Sequence, residues 1–261
     1  MVWLEVENDG SRNDQTPLTG VEGDVAGEPL HFEPADRGFH ALVGIPLEGT
    51  DTLPVALRLS RQGRVDSTVV GLIIRQAAYP RERITVPPRM VQFDSATRAR
   101  VEAETARARE VSRRSHETTR LWSLPIALPR NSRITSAYGG AREYNGQVTS
   151  RHTGTDFAGA VGTPVGAAAR GIVALVADFY LAGRAVYLDH GAGLVTGYFH
   201  LSQVDVAEGD TVAAGQRIGG VGRTGRVTGP HLHWIMRYGT ISVDPMTMVE
   251  LGRTTGAAEQ P

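Results

Sequence analysis

The stretch Thr228-Gly229-Pro230-His231-Leu232-His233-Trp234 places two histidines one residue apart. Side chains alternate between the two faces of a β-strand, so a strand here would put His231 and His233 on one face and Leu232 on the other. The earlier stretch His152-Thr153-Gly154-Thr155-Asp156 offers an imidazole and a carboxylate, with a glycine between them that allows the backbone to bend. Zinc binds imidazole and carboxylate ligands, and a catalytic site uses three of them. The two stretches together therefore predict a zinc site.

The composition limits the classes of function and the kinds of metal site. The 261 residues suffice for one large or two ordinary domains. A net charge of −1 argues against a nucleic-acid-binding protein, which would normally carry a basic face. The sequence has no cysteine, so a zinc ion must be held by histidines and carboxylates. No run of 18 apolar residues predicts a membrane span, and no signal peptide is visible at the start.

Residues 1–93 are predicted to form an N-terminal β domain of the immunoglobulin-like sandwich type. Short β-rich runs recur there, separated by turn residues, which is typical of sandwiches. The predicted strands are Val2–Val6, Leu30–Glu33, Phe39–Ile45, Leu53–Leu59, Val65–Arg75 and Arg83–Val86.

Residues 94–121 are predicted to form a helical connector between two domains. Asp94 offers a helix cap, and the stretch that follows is rich in Ala, Arg and Glu without Gly or Pro. Few large apolar residues occur in it, so a solvated, ion-paired helix is a better interpretation than a binding patch.

Residues 122–250 return to a β pattern with many glycines and predict a second, catalytic domain built of antiparallel strands. The predicted strands include Gly171–Val176, Ala185–Leu188, Gly193–Leu201, Thr211–Val212, Arg217–Val221 and Leu232–Arg237. The polar stretch 251–261 is predicted to be a disordered tail. The whole chain is therefore predicted to be mainly β.

Four stretches of the second domain carry a resemblance to a known family. They are Ser150–Ala158, Gly162–Val165, Tyr198–Ser202 and Gly225–His233. In this order and spacing the chain resembles the LytM/lysostaphin-like zinc metallopeptidases, the M23 family, over about residues 124–248. The block that ends in Tyr79-Pro80-Arg81-Glu82-Arg83 is also similar, more loosely, to the β domain that precedes the peptidase in some members.

The resemblance implies a role for five residues. His152, Asp156 and His233 would be the zinc ligands, whereas His200 and His231 would be catalytic histidines that do not bind the metal. Two neutral imidazoles and one carboxylate leave a net positive site, which activates water and polarises a peptide carbonyl. An imidazole titrates in the range needed to move a proton. The sequence leaves open which of His200 and His231 is the general base.

Two further residues near these motifs have two interpretations each. His190, in Asp189-His190-Gly191, could be an extra ligand, but a structural role at its turn is favoured. Asn145, in Tyr144-Asn145-Gly146, could be a zinc ligand of a latent form, or it could simply form an Asn-Gly turn.

The resemblance implies a zinc endopeptidase that cuts the peptide stems and cross-links of bacterial peptidoglycan, in the periplasm or at the cell surface. The rival hypothesis is a non-enzymatic regulator, because LytM-like domains that have lost their ligands activate cell-wall amidases. All five implied positions are intact here, which weighs against that rival. A third hypothesis, motivated by the predicted helix, is that the N-terminal domain covers the catalytic groove. The sequence does not discriminate between direct cross-links and glycine bridges.

Overall fold

The computed structural model describes residues 1–7, 16–49, 51–75, 77–88 and 91–258, with the backbone alone at 147–149 and 254–258. The chain divides into two compact units, Met1–Ala77 and Ala78–Pro261. Strands dominate both units, so the predicted mainly β fold is confirmed.

The first unit consists of two antiparallel sheets. One sheet contains β1 (Val2–Glu7), β4 (Glu33–Ala35) and β5 (Gly38–Val43), in the order β1-β5-β4. The other contains β2 (Leu18–Val25), β3 (Glu28–Pro29), β6 (Thr52–Arg61) and β7 (Arg64–Ile73), in the order β3-β2-β6-β7. Fully buried aliphatic side chains from both sheets form the core of this unit, among them Val25, Ala41, Val43 and Val55.

Strand β2 is the main element of this unit that the sequence pattern does not predict. Its sequence LTGVEGDV contains two glycines and an aspartate, which are depleted in strands. Pairing with β6 overrides this weak propensity, because Val21 lies opposite Leu59 and both Leu18 and Val21 become buried. Tertiary packing, which a local pattern does not contain, therefore decides this strand.

The boundary between the two units lies earlier than the sequence predicts. Strand β8 (Arg81–Ile84), assigned to the first domain by its position before residue 93, belongs to the second unit. It runs parallel to β10 (Ala141–Tyr144), and the Pro80 carbonyl accepts a hydrogen bond from the Ala141 amide at 2.9 Å. A strand needs a partner for its backbone groups, and β8 finds that partner in the second unit.

An eight-stranded sheet forms the centre of the second unit. Its strands are β9 (Ile134–Ser136), β12 (Gly154–Ala158), β14 (Gly171–Phe179), β15 (Gly183–Gly191), β16 (Leu194–Leu201), β18 (Thr211–Val212), β20 (His231–Tyr238) and β21 (Ile241–Val243). The order is β18-β14-β15-β16-β20-β12-β9, and β21 pairs with β20. Two smaller sheets contain β8, β10 and β11 (Gln147–Arg151), and β13 (Pro164–Gly166), β17 (Gln203–Val204) and β19 (Arg217–Gly220).

The side chains of strand β20 alternate between the two faces of this sheet. Leu232, Trp234 and Met236 on one face are fully buried. His231 and His233 lie on the other face, where Ile235 belongs to an apolar cluster. The strand alternation predicted from the sequence is therefore present, and it leaves one face for packing and one for the histidines.

Helix α1 (Ser95–Arg114) confirms the predicted helix and its Asp94 cap, whose carboxylate accepts the Thr97 amide at 2.7 Å. Most of its residues are exposed, but Ala108 is buried in the apolar cluster of the sheet. The Ala108 carbonyl also accepts a hydrogen bond from Arg237 at 3.3 Å. One narrow face of the helix is thus part of the second unit, because small residues there allow close approach. A short 3₁₀ turn, Ser115–Glu117, follows it.

The predicted disordered tail is wrong over residues 251–258, which belong to helix α2 (Pro245–Ala258). Proline at the first helical position and the buried Met248 and Val249 favour this helix. Residues 259–261 lie outside the described residues. Within the described part of the chain, neither helix is both long and apolar enough to cross a membrane.

Candidate metal centre

Neighbouring strands bring together the donors that the sequence predicts. Asp156 on β12 lies directly opposite His233 on β20, and His152 stands just before β12. Residues opposite each other in an antiparallel pair project from the same face. All three side chains are buried on that face.

The donor atoms of these three residues converge on one point. His152 Nε2 lies 3.1 Å from Asp156 Oδ1 and 3.0 Å from His233 Nδ1. His233 Nδ1 lies 2.6 Å from the same Asp156 oxygen. Within the described residues, this is the group of His and acidic side chains with the spacing needed to hold a metal ion.

The protonation of His152 follows from its second nitrogen. His152 Nδ1 lies 2.8 Å from the Ala137 carbonyl, which can only accept a hydrogen bond. Nδ1 therefore carries the proton in the neutral ring, and Nε2 presents a lone pair to Asp156 and His233. Two ring nitrogens and one carboxylate oxygen that face one another at such distances are the arrangement that a cation stabilises.

Asp156 is held in its ionised form by its neighbours. Burial would raise the pKa of its carboxyl, but the imidazoles of His152 and His233 lower that pKa well below the usual range. Arg142 on β10 donates to the other oxygen, with Nη2 2.7 Å from Oδ2. Oδ1 is thus the oxygen left for the donor cluster.

His233 is neutral at neutral pH. Burial lowers the pKa of its imidazole, although Asp156 opposes the shift. The Phe199 ring, opposite it on β16, stacks on the imidazole with centroids 5.4 Å apart. Phe199 also belongs to the apolar cluster that receives Ala108 of α1. The apolar cluster of the sheet therefore supports the His233 ring through Phe199.

His200 reaches the site through an irregularity in β16. Phe199 faces His233, so regular alternation would turn His200 to the opposite face. Instead His200 adopts a left-handed backbone with φ 64°, next to a register shift between β15 and β16. Such bulges redirect side chains near active sites. The His200 ring consequently lies 4.9 Å from the His231 ring and 5.8 Å from the His233 ring.

His200 and His231 are each held by a backbone carbonyl. His200 Nδ1 lies 2.9 Å from the Thr224 carbonyl, and His231 Nδ1 lies 2.9 Å from the Gly229 carbonyl. Both rings therefore carry the proton on Nδ1 and keep a free lone pair on Nε2. Burial, together with His233 and His231, lowers the pKa of His200 well below its ordinary value. His231 Nε2 lies 3.8 Å from Asp156 Oδ1.

His190 and Asn145 lie outside the donor cluster. His190 is fully buried, and its nitrogens lie 2.8 Å from the Arg170 carbonyl and 2.7 Å from the Thr196 hydroxyl. Its role is structural, although its partners are Thr196 on β16 and Arg170 just before β14 rather than residues of its own turn. Asn145 forms the left-handed turn with φ 51°, and its carboxamide bonds both backbone groups of Val86 at 3.0 and 3.1 Å.

The sequence pattern does not predict the polar residues behind the ligands. Arg142, Ser136 and Glu82 form a hydrogen-bonded group that reaches Asp156 and His152. The five predicted residues come from local motifs and the family resemblance that these motifs carry, whereas these three come from separate strands with no local spacing signal. The one available signal is the family-like stretch around Glu82.

The sequence profile of Peptidase family M23 matches residues 150–245, which contain all five predicted site residues. Residues 150–245 are an M23 peptidase domain. The family resemblance drawn from the sequence is thus confirmed. A crystal structure from Pseudomonas aeruginosa, provisionally named peptidase M23, superposes on the chain with a TM-score of 0.68. It is 28% identical, and the match covers 88% of this chain and 87% of that one.

Two curated relatives of the M23 domain come from Vibrio cholerae serotype O1. Peptidoglycan DD-endopeptidase ShyA is 49% identical over 83 residues, which are 32% of this chain and 19% of the relative. Peptidoglycan DD-endopeptidase ShyC is 42% identical over 118 residues, which are 44% of this chain and 27% of the relative. The matches thus span about a quarter or less of each of these relatives.

Proposed function

We propose that this chain is a zinc-dependent endopeptidase that hydrolyses peptide cross-links of bacterial peptidoglycan. The observation that carries the proposal is the convergence of His152 Nε2, Asp156 Oδ1 and His233 Nδ1 within 3.1 Å of one another. The names of the two Vibrio relatives support the substrate and favour direct links between D-amino acids over glycine bridges.

The residues fit a zinc ion by their chemistry. Two imidazoles and one carboxylate, without cysteine, are a set of ligands used by catalytic zinc sites, which keep one position for water or substrate. Nε2 of His152, Nδ1 of His233 and Oδ1 of Asp156 face the same point. When bound there, zinc would supply Lewis acidity, which lowers the pKa of water and polarises the scissile carbonyl.

The two remaining histidines would handle protons. In each, Nδ1 donates to a backbone carbonyl, so Nε2 is the nitrogen that can accept or give a proton. A neutral imidazole can take a proton from the attacking water and a protonated one can give it to the leaving amine. His200 suits the first role because its lowered pKa keeps it unprotonated at neutral pH. His231, nearer to Asp156, would stabilise or protonate the reacting groups.

The proposed substrate places the protein in the cell envelope, since peptidoglycan lies outside the cytoplasm. The rival role, a regulator that activates amidases without catalysis, gains no support from the site. A domain of that kind has no need of converging donors, whereas here three donors converge and His200 and His231 lie beside them.

Zinc content and wall digestion, measured together on His233→Ala, test the proposal. The wild-type protein, purified with zinc supplied, should contain about one zinc ion and release cross-link fragments that mass spectrometry identifies from purified wall. His233→Ala removes one of the three ligands, so it should contain no zinc and release no fragments. A protein without zinc, or a His233→Ala variant with unchanged digestion, would contradict the proposal.

His40→Gln is the matched control, because His40 lies in the first unit with Glu33 3.8 Å away. It should behave as the wild type in both measurements. Walls with direct links and walls with glycine bridges are digested in parallel. The wall that releases fragments identifies the cross-link that the protein cuts.

A further inference from the structure

Behind the donor cluster lies a group of polar side chains that the matched M23 region does not contain. Glu82 on β8, Ser136 on β9 and Arg142 on β10 all precede residue 150, where the match begins. Glu82 lies opposite Arg142 in the parallel pairing of β8 with β10. The strand that opens the second unit therefore brings a carboxylate to the back of the site.

Arg142 determines which oxygen of Asp156 faces the cluster. Its Nη2 donates to Asp156 Oδ2 at 2.7 Å, and both side chains are largely buried, with 17% and 7% exposed. A charge-assisted hydrogen bond of this kind is strong and directional. With Oδ2 occupied, Oδ1 is the oxygen directed at His152 and His233.

Glu82 in turn holds Arg142 and Ser136. Its Oε2 accepts from Arg142 Nε at 3.3 Å, and its Oε1 accepts from the Ser136 hydroxyl at 2.5 Å. A hydroxyl has one proton and two lone pairs. Since the proton goes to Glu82, the Ser136 oxygen accepts from Arg142 Nη2 at 3.3 Å and from His152 Nδ1 at 3.1 Å.

The same group therefore orients a second ligand. The Nδ1 proton of His152 is shared between the Ala137 carbonyl and the Ser136 oxygen, so in the neutral ring the lone pair lies on Nε2, directed at the cluster. Outer partners that fix the tautomer and orientation of metal ligands change metal affinity when they are removed. One carboxylate, that of Glu82, reaches two of the three ligands by two separate routes.

We propose that Glu82 is a positioning residue of the metal centre, which fixes the ligating atoms of Asp156 through Arg142 and of His152 through Ser136. The inference rests on the proposed zinc function. It means that β8, a strand outside the matched M23 region, contributes a residue that supports the site. If Glu82 served only to attach β8, its loss would lower stability and leave zinc affinity unchanged.

The test is the dissociation constant for zinc of Glu82→Gln, measured by competition with a chromophoric chelator. The carboxamide keeps one acceptor oxygen and has no charge, so it can hold only one of Arg142 and Ser136, and we expect zinc to bind about 10- to 100-fold more weakly. The control is Glu143→Gln, which removes an ion pair of 3.6 Å with Arg83 across the same two strands. That variant should bind zinc as the wild type does.

A double-mutant cycle shows whether Glu82 acts through Arg142. Arg142→Met should weaken zinc binding about 10- to 100-fold, and Glu82→Gln should add less in that background than it does alone. Thermal unfolding of the zinc-free proteins reports the fraction folded. If Glu82→Gln does not fold, Ser136→Ala, which removes one hydroxyl, should still weaken zinc binding.

The outcomes separate the two proposals. If the wild type binds zinc and both Glu82→Gln and Ser136→Ala bind it equally well, the role of Glu82 is overturned and the zinc function stands. Fully additive effects of Glu82→Gln and Arg142→Met would overturn the route through Arg142. If the wild type binds no zinc, both proposals fail together.

Discussion

The site has a metal half, formed by the three donors, and a proton half, formed by the two other histidines. The two halves are held in place by different means. The ligands Asp156 and His152 are oriented largely by other side chains, Arg142 and Ser136, with the Ala137 carbonyl as a further partner of His152. The histidines outside the donor cluster, His200 and His231, are oriented by backbone carbonyls of the segment 222–230. Charge and side-chain geometry therefore control the metal half, whereas the path of one loop controls the proton half.

This difference has a practical consequence for mutations. A side-chain network can be dismantled one residue at a time, so zinc affinity should change in steps. A backbone carbonyl cannot be deleted by substitution, so the proton half should respond only to removal of a histidine or to displacement of the loop. Substitutions that affect one half and spare the other therefore distinguish support by side chains from support by the backbone.

The largest effect that separates the two halves is expected for His231→Ala and His200→Ala. Neither imidazole belongs to the donor cluster, so each variant should retain about one zinc ion. Because a general acid or base contributes about 10²- to 10⁴-fold to the rate, the kcat for peptide cleavage should fall by that factor. Zinc content and kcat are measured on the same preparation.

Loss of zinc from either variant would contradict the division of the site. In that case the histidine concerned would belong to the metal half, and His231, whose Nε2 lies 3.8 Å from Asp156, would be the first candidate. The His233→Ala variant, which should lose the metal, provides the reference for a ligand.

A smaller effect is expected for Gly225→Ala, which displaces the loop without touching a histidine. Gly225 has φ 73°, and a Cβ there would lie 2.4 Å from the Gly183 amide nitrogen and 2.5 Å from the Leu181 carbonyl oxygen. Both obstacles are backbone atoms, so the loop must move, and with it the Thr224 carbonyl that holds His200. We expect kcat to fall about 10-fold, the equivalent of about 1.4 kcal/mol of activation free energy, with zinc affinity unchanged.

Gly229→Ala is the control for the loop variant. A Cβ at Gly229 meets nothing within 4 Å, although its carbonyl holds His231. This variant should keep both kcat and zinc affinity. A Gly225→Ala protein that loses zinc affinity would show that the loop also supports the metal half.

The sequence predicts the site well where the signal is local spacing. The pair His231 and His233 and the pair His152 and Asp156 are recognisable because each lies on one strand or its approach, with alternation fixing the face. The same alternation would place His200 on the wrong face, and only the backbone irregularity at φ 64° brings it to the site. Resemblance to relatives, rather than periodicity, is what identifies His200.

The parts that the sequence does not predict depend on pairing between distant segments. Glu82 approaches Arg142 because β8 runs beside β10, 60 residues later in the chain. Strand β2 forms despite its glycines because it pairs with β6. Polar residues such as Glu82, which support the ligands through other side chains, follow no periodic sequence pattern. They can be identified only when the strand order is known.

The smallest expected effect concerns His190, a buried histidine that belongs to neither half. Burial lowers the pKa of its imidazole in the folded protein, although the Arg170 carbonyl and Asp189 oppose the shift. Below about pH 6.5 the unfolded chain therefore binds a proton that the folded protein does not. His190 thus lowers the free energy of unfolding as the pH falls through that value, by up to about 1.4 kcal/mol per pH unit.

His190→Gln isolates this contribution in the zinc-free protein. The variant should be less stable at neutral pH, because it loses the bonds to the Arg170 carbonyl and the Thr196 hydroxyl. Its free energy of unfolding, measured by urea denaturation between about pH 5 and 7, should nevertheless depend less steeply on pH than that of the wild type. All other titratable groups are common to the two proteins, so their contribution cancels in the difference. Equal slopes would mean that His190 takes up its proton in the folded state, in which case burial alone does not keep a histidine neutral in this sheet.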